Sequence, residues 1–268
     1  MKITGKVVVV TGAGSGIGRA LAQELLRRGA RVAAVDVNAD TLAETATQVQ
    51  DAVHLTTLVA DVTDHAAVDA LPARVIDRFG VVDGLINCAG IIQPFERLQD
   101  LSWAAIDRVF AVNWSGTLWL TKALLPHLLQ RPVAHVVNVA SMGGFLPVPG
   151  QTIYGASKAA VMLLTEGLHA ELKDTRVRVT LALPGAVATN ITTNSGVSVP
   201  AASTAQLTKR RVRPIAAAEA ARQILDAMER DAWRVLVGPD ARLMDALVRL
   251  DPRRAAAFIG RQMKALLP

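Results

Sequence analysis

Residues 6–18 read K-V-V-V-V-T followed by G-A-G-S-G-I-G, and this join constrains the fold more than any other part of the chain. The β-branched run shows no alternation with polar residues, the mark of a strand buried on both faces in a parallel sheet. An amphipathic stretch from about Arg19 to Arg28 follows and reads as a helix. Glycines between strand and helix let the backbone approach a pyrophosphate, and the helix N-terminus favours its negative charge. Gly12, Gly16 and Gly18 are spaced GxxxGxG, which fits neither the GxGxxG fingerprint nor a P-loop ending in Gly-Lys-Ser/Thr. A second run, R-V-A-A-V-D, ends at Asp36. A carboxylate about 20 residues beyond the glycines suits the ribose 2′-hydroxyl of NAD.

The alternation continues along the chain. Strands are expected at 6–11, 31–36, 53–60, 83–88, 134–140, 177–183 and 234–237. Helices are expected near 16–28, 40–50, 64–79, 102–130, 153–173 and 215–230, with Asp64 and Ser102 as N-caps. Right-handed crossovers of this pattern give an α/β fold, a Rossmann-type doubly wound parallel sheet with helices on both faces. Ligands collect at the carboxyl ends of such strands. A chain of 268 residues with 51% hydrophobic content buries one sizeable core, so residues 1–268 read as a single domain. Within it, 190–213 is small, polar and Gly/Pro-bearing, a substrate loop or lid, and 240–268 is a basic C-terminal helical extension.

Tyr154 and Lys158 stand four residues apart in the 153–173 helix, on one face. A phenol with a pKa of about 10 is a poor acid-base group at neutral pH, and a neighbouring ammonium lowers that value. Ser141, on the preceding loop, offers a hydroxyl to hold a substrate oxygen beside the phenol. The trio predicts proton transfer to or from an alcohol or carbonyl oxygen.

With these motifs in order, the chain resembles a short-chain dehydrogenase/reductase of the single-domain type. The resemblance is carried by T-G-A-G-S-G-I-G at 11–18, D-V at 61–62, N-C-A-G at 87–90, Asn113, Ser141, Y-G-A-S-K at 154–158 and P-G-A-V-A-T at 184–189. The usual N-N-A-G is N-C-A-G here, with Cys88 read as a small buried residue. The resemblance implies seven strands in the order 3-2-1-4-5-6-7. It implies that Tyr154 is the general acid in ketone reduction and the general base in alcohol oxidation. Lys158 would lower its pKa and hold the nicotinamide ribose, Ser141 would orient the substrate oxygen, and Asn113 would anchor a water linking the lysine to solvent. The cofactor set it implies is Gly12, Ser15, Gly16, Ile17, Gly18, Asp36, Asp61, Val62, Asn87, Ala89, Gly90, Tyr154, Lys158, Pro184, Val187 and Thr189. Asp61 and Val62 border the adenine, and Thr189 with the Val187 backbone holds the carboxamide. The resemblance also implies hydride transfer on the pro-S face. Asp36 repels a 2′-phosphate, Ser15 stands where many NADP-dependent relatives carry Arg or Lys, and Arg19 reads as a solvated helix residue. The expected cofactor is therefore NAD rather than NADP.

Phe95, Phe145, Leu146, Val148, Gln151, Ala186 and Ile191 are expected to line the substrate site. That wall is mainly apolar and shows no arginine pair for a carboxylate or phosphate. It suits a secondary alcohol or ketone with a hydrophobic body, with a 3-oxoacyl or hydroxysteroid substrate as the alternative within the family. A non-catalytic NAD-binding sensor is the alternative outside enzymes, and the complete Ser-Tyr-Lys-Asn set disfavours it. The five histidines show no metal-ligand spacing, and no metal is expected. Neither a signal peptide nor a bilayer-long apolar stretch is apparent, so a cytoplasmic protein is expected. Family resemblance implies a homotetramer or homodimer through the 102–130 and 153–173 helices.

Residues 1–206 hold 16 Lys/Arg and 16 Asp/Glu, whereas 207–268 hold 13 and 7, so the whole net charge of +6 lies in the C-terminal quarter. Two helix-like pieces, about 240–250 and 253–267, end that quarter. Phe258, Ile259, Met263, Leu266 and Leu267 there accompany Arg253, Arg254, Arg261 and Lys264. Such a helix can lie on an anionic membrane surface, but a packing or subunit-contact helix with a solvated basic face is the preferred reading. Nucleic-acid binding is not expected, because no aromatic stacking pattern accompanies the charge.

Overall fold

A computed structural model describes residues 1–49, 53–197 and 214–263. The first six elements are β1 (Val7–Thr11), α1 (Gly16–Arg27), β2 (Arg31–Asp36), α2 (Ala39–Thr47), β3 (Leu55–Val59) and α3 (His65–Phe79). Next come β4 (Gly84–Asn87), α4 (Trp103–Phe110), α5 (Gly116–Leu129), β5 (Ala134–Val139), α6 (Thr152–Glu171) and β6 (Val177–Pro184). The remaining described elements are β7 (Val187–Ala188), α7 (Ile191–Asn194), β8 (Ile215–Ala216), α8 (Ala217–Glu229), β9 (Arg234–Val237), α9 (Pro239–Leu250) and α10 (Pro252–Met263).

Seven strands form one sheet in the order β3-β2-β1-β4-β5-β6-β9. Every pairing in it is parallel, as in Val9 opposite Ala33 and Leu85 opposite Val136. This is the expected doubly wound order, with β9 as the seventh strand. Side chains on a strand alternate between faces, and β1 shows why its unbroken valine run was needed. Val8 and Val10 pack with Leu21 and Leu25 of α1 and Ile224 and Leu225 of α8. Val7 and Val9 pack on the other face with Val75 of α3 and Leu120 and Leu124 of α5. Each of these side chains is buried. Burying a valine or leucine contributes about 1.5–3 kcal/mol, so both faces of β1 hold helices firmly against the sheet.

Both expected N-caps form. Asp64 Oδ1 accepts from Ala66 N at 2.9 Å, and Ser102 Oγ accepts from Ala105 N at 3.2 Å. The helix expected over 102–130 is not uniform: a π-helical turn, Ala111–Ser115, separates α4 from α5. The single extra residue of such a turn rotates the downstream helix about its axis and often marks a functional site. Asn113 sits at its centre.

Of the 190–213 loop, 198–213 lies outside the described residues, as do 50–52 and the last five positions with Lys264, Leu266 and Leu267. The two sides of that loop are joined by a short parallel ladder, Val187 opposite Ile215 and Ala188 opposite Ala216. Among the described residues no helix is long and apolar enough to cross a membrane.

Candidate active site

The loops at the carboxyl ends of the sheet enclose a cavity of about 810 Å³, within the range of small-molecule sites. Its floor is set by β1 and β4. Thr11 Oγ1 accepts from the N–H groups of Cys88 and Ala89 at 3.0 and 3.1 Å, locking the two strand ends together. Gly12, at φ +69°, lies so near that a Cβ would come within 2.9 Å of Ala89 Cα. A side chain at Gly18 would overlap the Gly12 carbonyl, so α1 packs directly on the turn that feeds it. At Gly12 and Gly18 the GxxxGxG spacing is thus a backbone contact requirement, whereas Gly16, at φ +52°, would bring a Cβ to 3.2 Å from the Thr189 side chain.

Gly12, Ser15, Gly16, Ile17 and Gly18 line one end of the cavity, with Asp36, Asp61 and Val62 beside them. Ala89 and Gly90 continue the wall toward Ser141, Tyr154 and Lys158. Pro184, Ala186, Val187, Thr189 and Ile191 close the opposite side. Asn194 Nδ2 donates to Ser15 Oγ at 2.7 Å, so the start of the 190–213 loop already spans from α7 to the glycine turn.

Asn87 and Asn113 do not reach the cavity wall. Asn87 is buried behind it, and Nδ2 donates to Thr121 Oγ1 at 3.0 Å and Asn138 Oδ1 at 2.8 Å, which ties β4 to β5 and α5. Its amide nitrogen is therefore committed to holding these elements together. Asn113 Oδ1 accepts from Ile91 N at 2.9 Å, and Nδ2 donates to Ile91 O and to Ser157 Oγ at 3.0 Å. A Cβ at Gly90 would lie 3.2 Å from Lys158 Nζ and 3.3 Å from Asn113 Oδ1. Glycine at that position keeps the approach between the two polar atoms open.

Five expected substrate residues are not on the cavity wall. Leu146 is completely buried in a cluster with Met244 and Ala255, because the C-terminal helices cover it. Phe145 packs against the same cluster and beneath Arg234, whose guanidinium carbon is 5.9 Å from the ring centroid. Gln151 is buried, and Nε2 donates to Gln93 O at 2.8 Å. Phe95 and Val148 are half-buried outside the wall. Ile91 and Ile92, unremarked in the sequence, take their place on the wall. Arg108 of α4 also lines the cavity, which an exposed position in an amphipathic helix did not signal.

Gln93 was equally invisible in the sequence. Its buried Oε1 accepts from Ile153 N at 2.7 Å and Tyr154 N at 3.0 Å, capping the N-terminus of α6 from a remote loop. The cap fixes where the helix begins and so where the phenol stands.

Burial raises the Tyr154 phenol above its ordinary value of 10, with a hydrogen bond from Ser141 opposing the shift. Burial lowers Lys158 to about 8, and Nζ donates to Val139 O at 3.0 Å. The expected lowering of the phenol pKa by Lys158 is not seen here, because desolvation is the largest influence on both groups. Cys88 lines the cavity while packing, partly buried, against the core, and burial pushes its thiol up to about 12 despite the pull of Lys158. Among the described residues no group of three His, Cys, Asp or Glu is placed to hold a metal ion.

The short chain dehydrogenase family profile matches residues 6–198. A protein of Mycobacterium tuberculosis (strain CDC 1551 / Oshkosh) that carries the name oxidoreductase SadH is 36% identical over 251 residues, covering 92% of this chain and 91% of that one. A short-chain dehydrogenase/reductase from Burkholderia phymatum, solved in complex with NAD, superposes with a TM-score of 0.82 at 30% identity, covering 93% of this chain and 96% of that one. One from Burkholderia cenocepacia J2315, in complex with NADP, superposes at 0.79 with 31% identity, covering 97% and 99%. The chain belongs to the short-chain dehydrogenase/reductase family of oxidoreductases.

Proposed function

We propose that this oxidoreductase is NAD-dependent and interconverts a secondary alcohol and a ketone with a hydrophobic body. The observation that carries the reading is one cavity wall bearing the glycine turn and Asp36 at one end and Ser141, Tyr154 and Lys158 at the other. The residues suit a nicotinamide dinucleotide. Gly12, Gly16 and Gly18 line the cavity, so bare backbone faces it there, and the N-terminus of α1 lies beside them. Gly12 to Gly18 would hold the pyrophosphate, Asp36 the adenine ribose, Asp61 and Val62 the adenine, and Lys158 with Val187 and Thr189 the nicotinamide half. The dinucleotide, when bound, supplies or accepts the hydride.

The chain's own residues supply the proton and the orientation. Ser141 Oγ already accepts from Gly143 N at 3.0 Å, which fixes the hydroxyl at the head of the loop before α6. With substrate bound, its proton would turn to the substrate oxygen, and Tyr154 would give or take the reacting proton at that same oxygen. Ile91, Ile92 and Ile191 present an apolar surface to the rest of the substrate. NAD is preferred over NADP because the cavity end that carries Asp36 offers a carboxylate to a ribose hydroxyl and would repel a 2′-phosphate.

The test is a panel of secondary alcohols with NAD and with NADP, and of ketones with the reduced forms, for wild type and Tyr154→Phe. Turnover with apolar secondary alcohols and NAD, falling at least about 10²-fold in Tyr154→Phe, is the expected outcome. Near-normal turnover by Tyr154→Phe would sink the assignment of the acid-base group.

A further inference from the structure

Helices α9 and α10 lie beyond the span matched by the family profile, and they reach the candidate site at two places. Met244 of α9 and Ala255 of α10 form an apolar cluster with Leu146, with Met142 and Phe145 packed against it, just beyond Ser141. The second place is polar. Asp240, in the first turn of α9, directs its carboxylate at the loop after β6, and Oδ2 accepts from Ala186 N at 2.6 Å. Asp240 is 8% exposed. A Cβ at Gly185 would overlap the carboxylate, and one at Gly238 would come within 2.8 Å of Oδ1. The two glycines are therefore the space in which this side chain fits. A buried carboxylate that loses its donor is costly, so loop and helix hold one another in place.

We infer that Asp240 is a positioning residue for the loop Pro184 to Thr189, and that through it the C-terminal extension sets the geometry of the dinucleotide end of the cavity. This rests on the reading of the cavity as a nicotinamide dinucleotide site. Asp240 does not itself line the cavity, whereas Pro184, Gly185, Ala186, Val187 and Thr189 do. It acts by holding the Ala186 N–H, one residue before Val187. That residue begins the short ladder to Ile215, so a shift at Ala186 would be carried into the wall opposite Tyr154. The basic C-terminal quarter thus contains a buried acidic residue whose role is separate from the net charge.

The experiment uses the full chain and the variants Asp240→Ala, Asp240→Asn, Gly185→Ala and the Asp240→Ala/Gly185→Ala pair. NADH affinity is measured by fluorescence titration, KM for NAD and kcat by steady-state kinetics, and the unfolding midpoint by thermal melting. Asp240→Ala should weaken NADH and raise KM for NAD about tenfold, the scale of one lost hydrogen bond to a charged acceptor, with a smaller change in kcat at saturating NAD. Asp240→Asn keeps an oxygen that can accept from Ala186 and should stay close to wild type. Gly185→Ala should weaken NADH in the wild-type background, and much less in the Asp240→Ala background, where the colliding oxygen is gone. Unchanged NADH affinity in Asp240→Ala with only a lower melting point would overturn the proposal, as would independent, multiplicative effects of the two substitutions. If Asp240→Ala does not fold, Gly185→Ala decides: weakened NADH in a folded protein supports the proposal and unchanged affinity rejects it. A wild type with no affinity for NADH or NADPH would instead overturn the dinucleotide reading and this role with it. Coupled melting points at 185 and 240 would then locate the failure in the ligand, not in the contact.

Discussion

Gly14 donates its backbone N–H to Asp36 Oδ2 at 2.9 Å, so the carboxylate that ends β2 is fastened to the glycine turn that opens α1. The other oxygen accepts from Asn38 N at 3.0 Å. Asp36 therefore stands at the cavity wall in a fixed orientation. Arg19, expected to be solvated, is instead held by Gly14 O, by Thr41 O at 3.2 Å and by Glu44 at 2.8 Å. It is not a free cation awaiting a phosphate.

Asp36→Ala should therefore lose efficiency with NAD without acquiring a strong NADP site. We expect kcat/KM with NAD to fall about tenfold, the scale of a lost hydrogen bond to a charged group. The ratio of NAD to NADP efficiency should fall as well, because the repulsion of a 2′-phosphate is removed. Steady-state kinetics with both cofactors checks this. A wild type that already prefers NADP would refute the role given to Asp36.

Tyr154 is the single tyrosine of the chain, so ultraviolet tyrosinate absorbance reports on it alone. Burial places its midpoint above 10 in the ligand-free protein. Lys158, lowered to about 8, loses its charge first as pH rises. Lys158→Ala should consequently leave the ligand-free midpoint nearly unchanged. Saturating NAD, whose oxidised ring is cationic, should bring it down. A ligand-free midpoint well below 10 that rises in Lys158→Ala would restore the lysine as the dominant influence.

The sequence made the sheet readable because each strand is a short apolar run and each glycine, cap or carboxylate signal lies at a strand end. Those are local features, and β2, β9 and the caps Asp64 and Ser102 appear where they were expected. Ser141, Tyr154 and Lys158 were legible for the same reason. The features that escaped depend on contacts between distant segments. Leu146 looked like a wall residue because it follows Ser141, but Met244 and Ala255, about 100 residues later, cover it. Gln93 lies about 60 residues before the helix it caps, and Asp240 lies 54 residues after Ala186. No spacing rule links such pairs. The π turn at Asn113 interrupts no hydrophobic period strongly enough to be seen.

Truncation after Leu250 tests what α10 contributes. It would remove Ala255 and Ile259 from the cluster that covers Leu146. Stability should fall by at least about 2 kcal/mol, the lower scale for an emptied core position, measured by denaturant unfolding. Arg253, Arg254, Arg261 and Phe258 are exposed on the same helix, so the intact chain should also be mixed with anionic vesicles. We expect no co-sedimentation. Vesicle binding that weakens with salt, together with unchanged stability on truncation, would make the helix a membrane contact instead.

His135 predicts an acid limit to stability. It is fully buried in β5, and Nε2 lies 2.8 Å from Thr180 Oγ1. Burial lowers its pKa from 6.5 to about 3, with the terminal ammonium of Met1 adding to the shift and Asp231 opposing it. The folded state keeps the ring neutral where the unfolded chain binds a proton. Stability present above pH 6.5 is therefore lost progressively as pH falls toward 3. At about 1.4 kcal/mol per pH unit, this amounts to about 2 kcal/mol between pH 7 and pH 5. His135→Val removes the titrating ring and leaves Thr180 donating to Ala232 O at 2.6 Å. Denaturant unfolding of wild type and His135→Val at the two pH values should show a flatter dependence in the variant. Equal losses in both proteins would mean that the acid sensitivity lies in other groups.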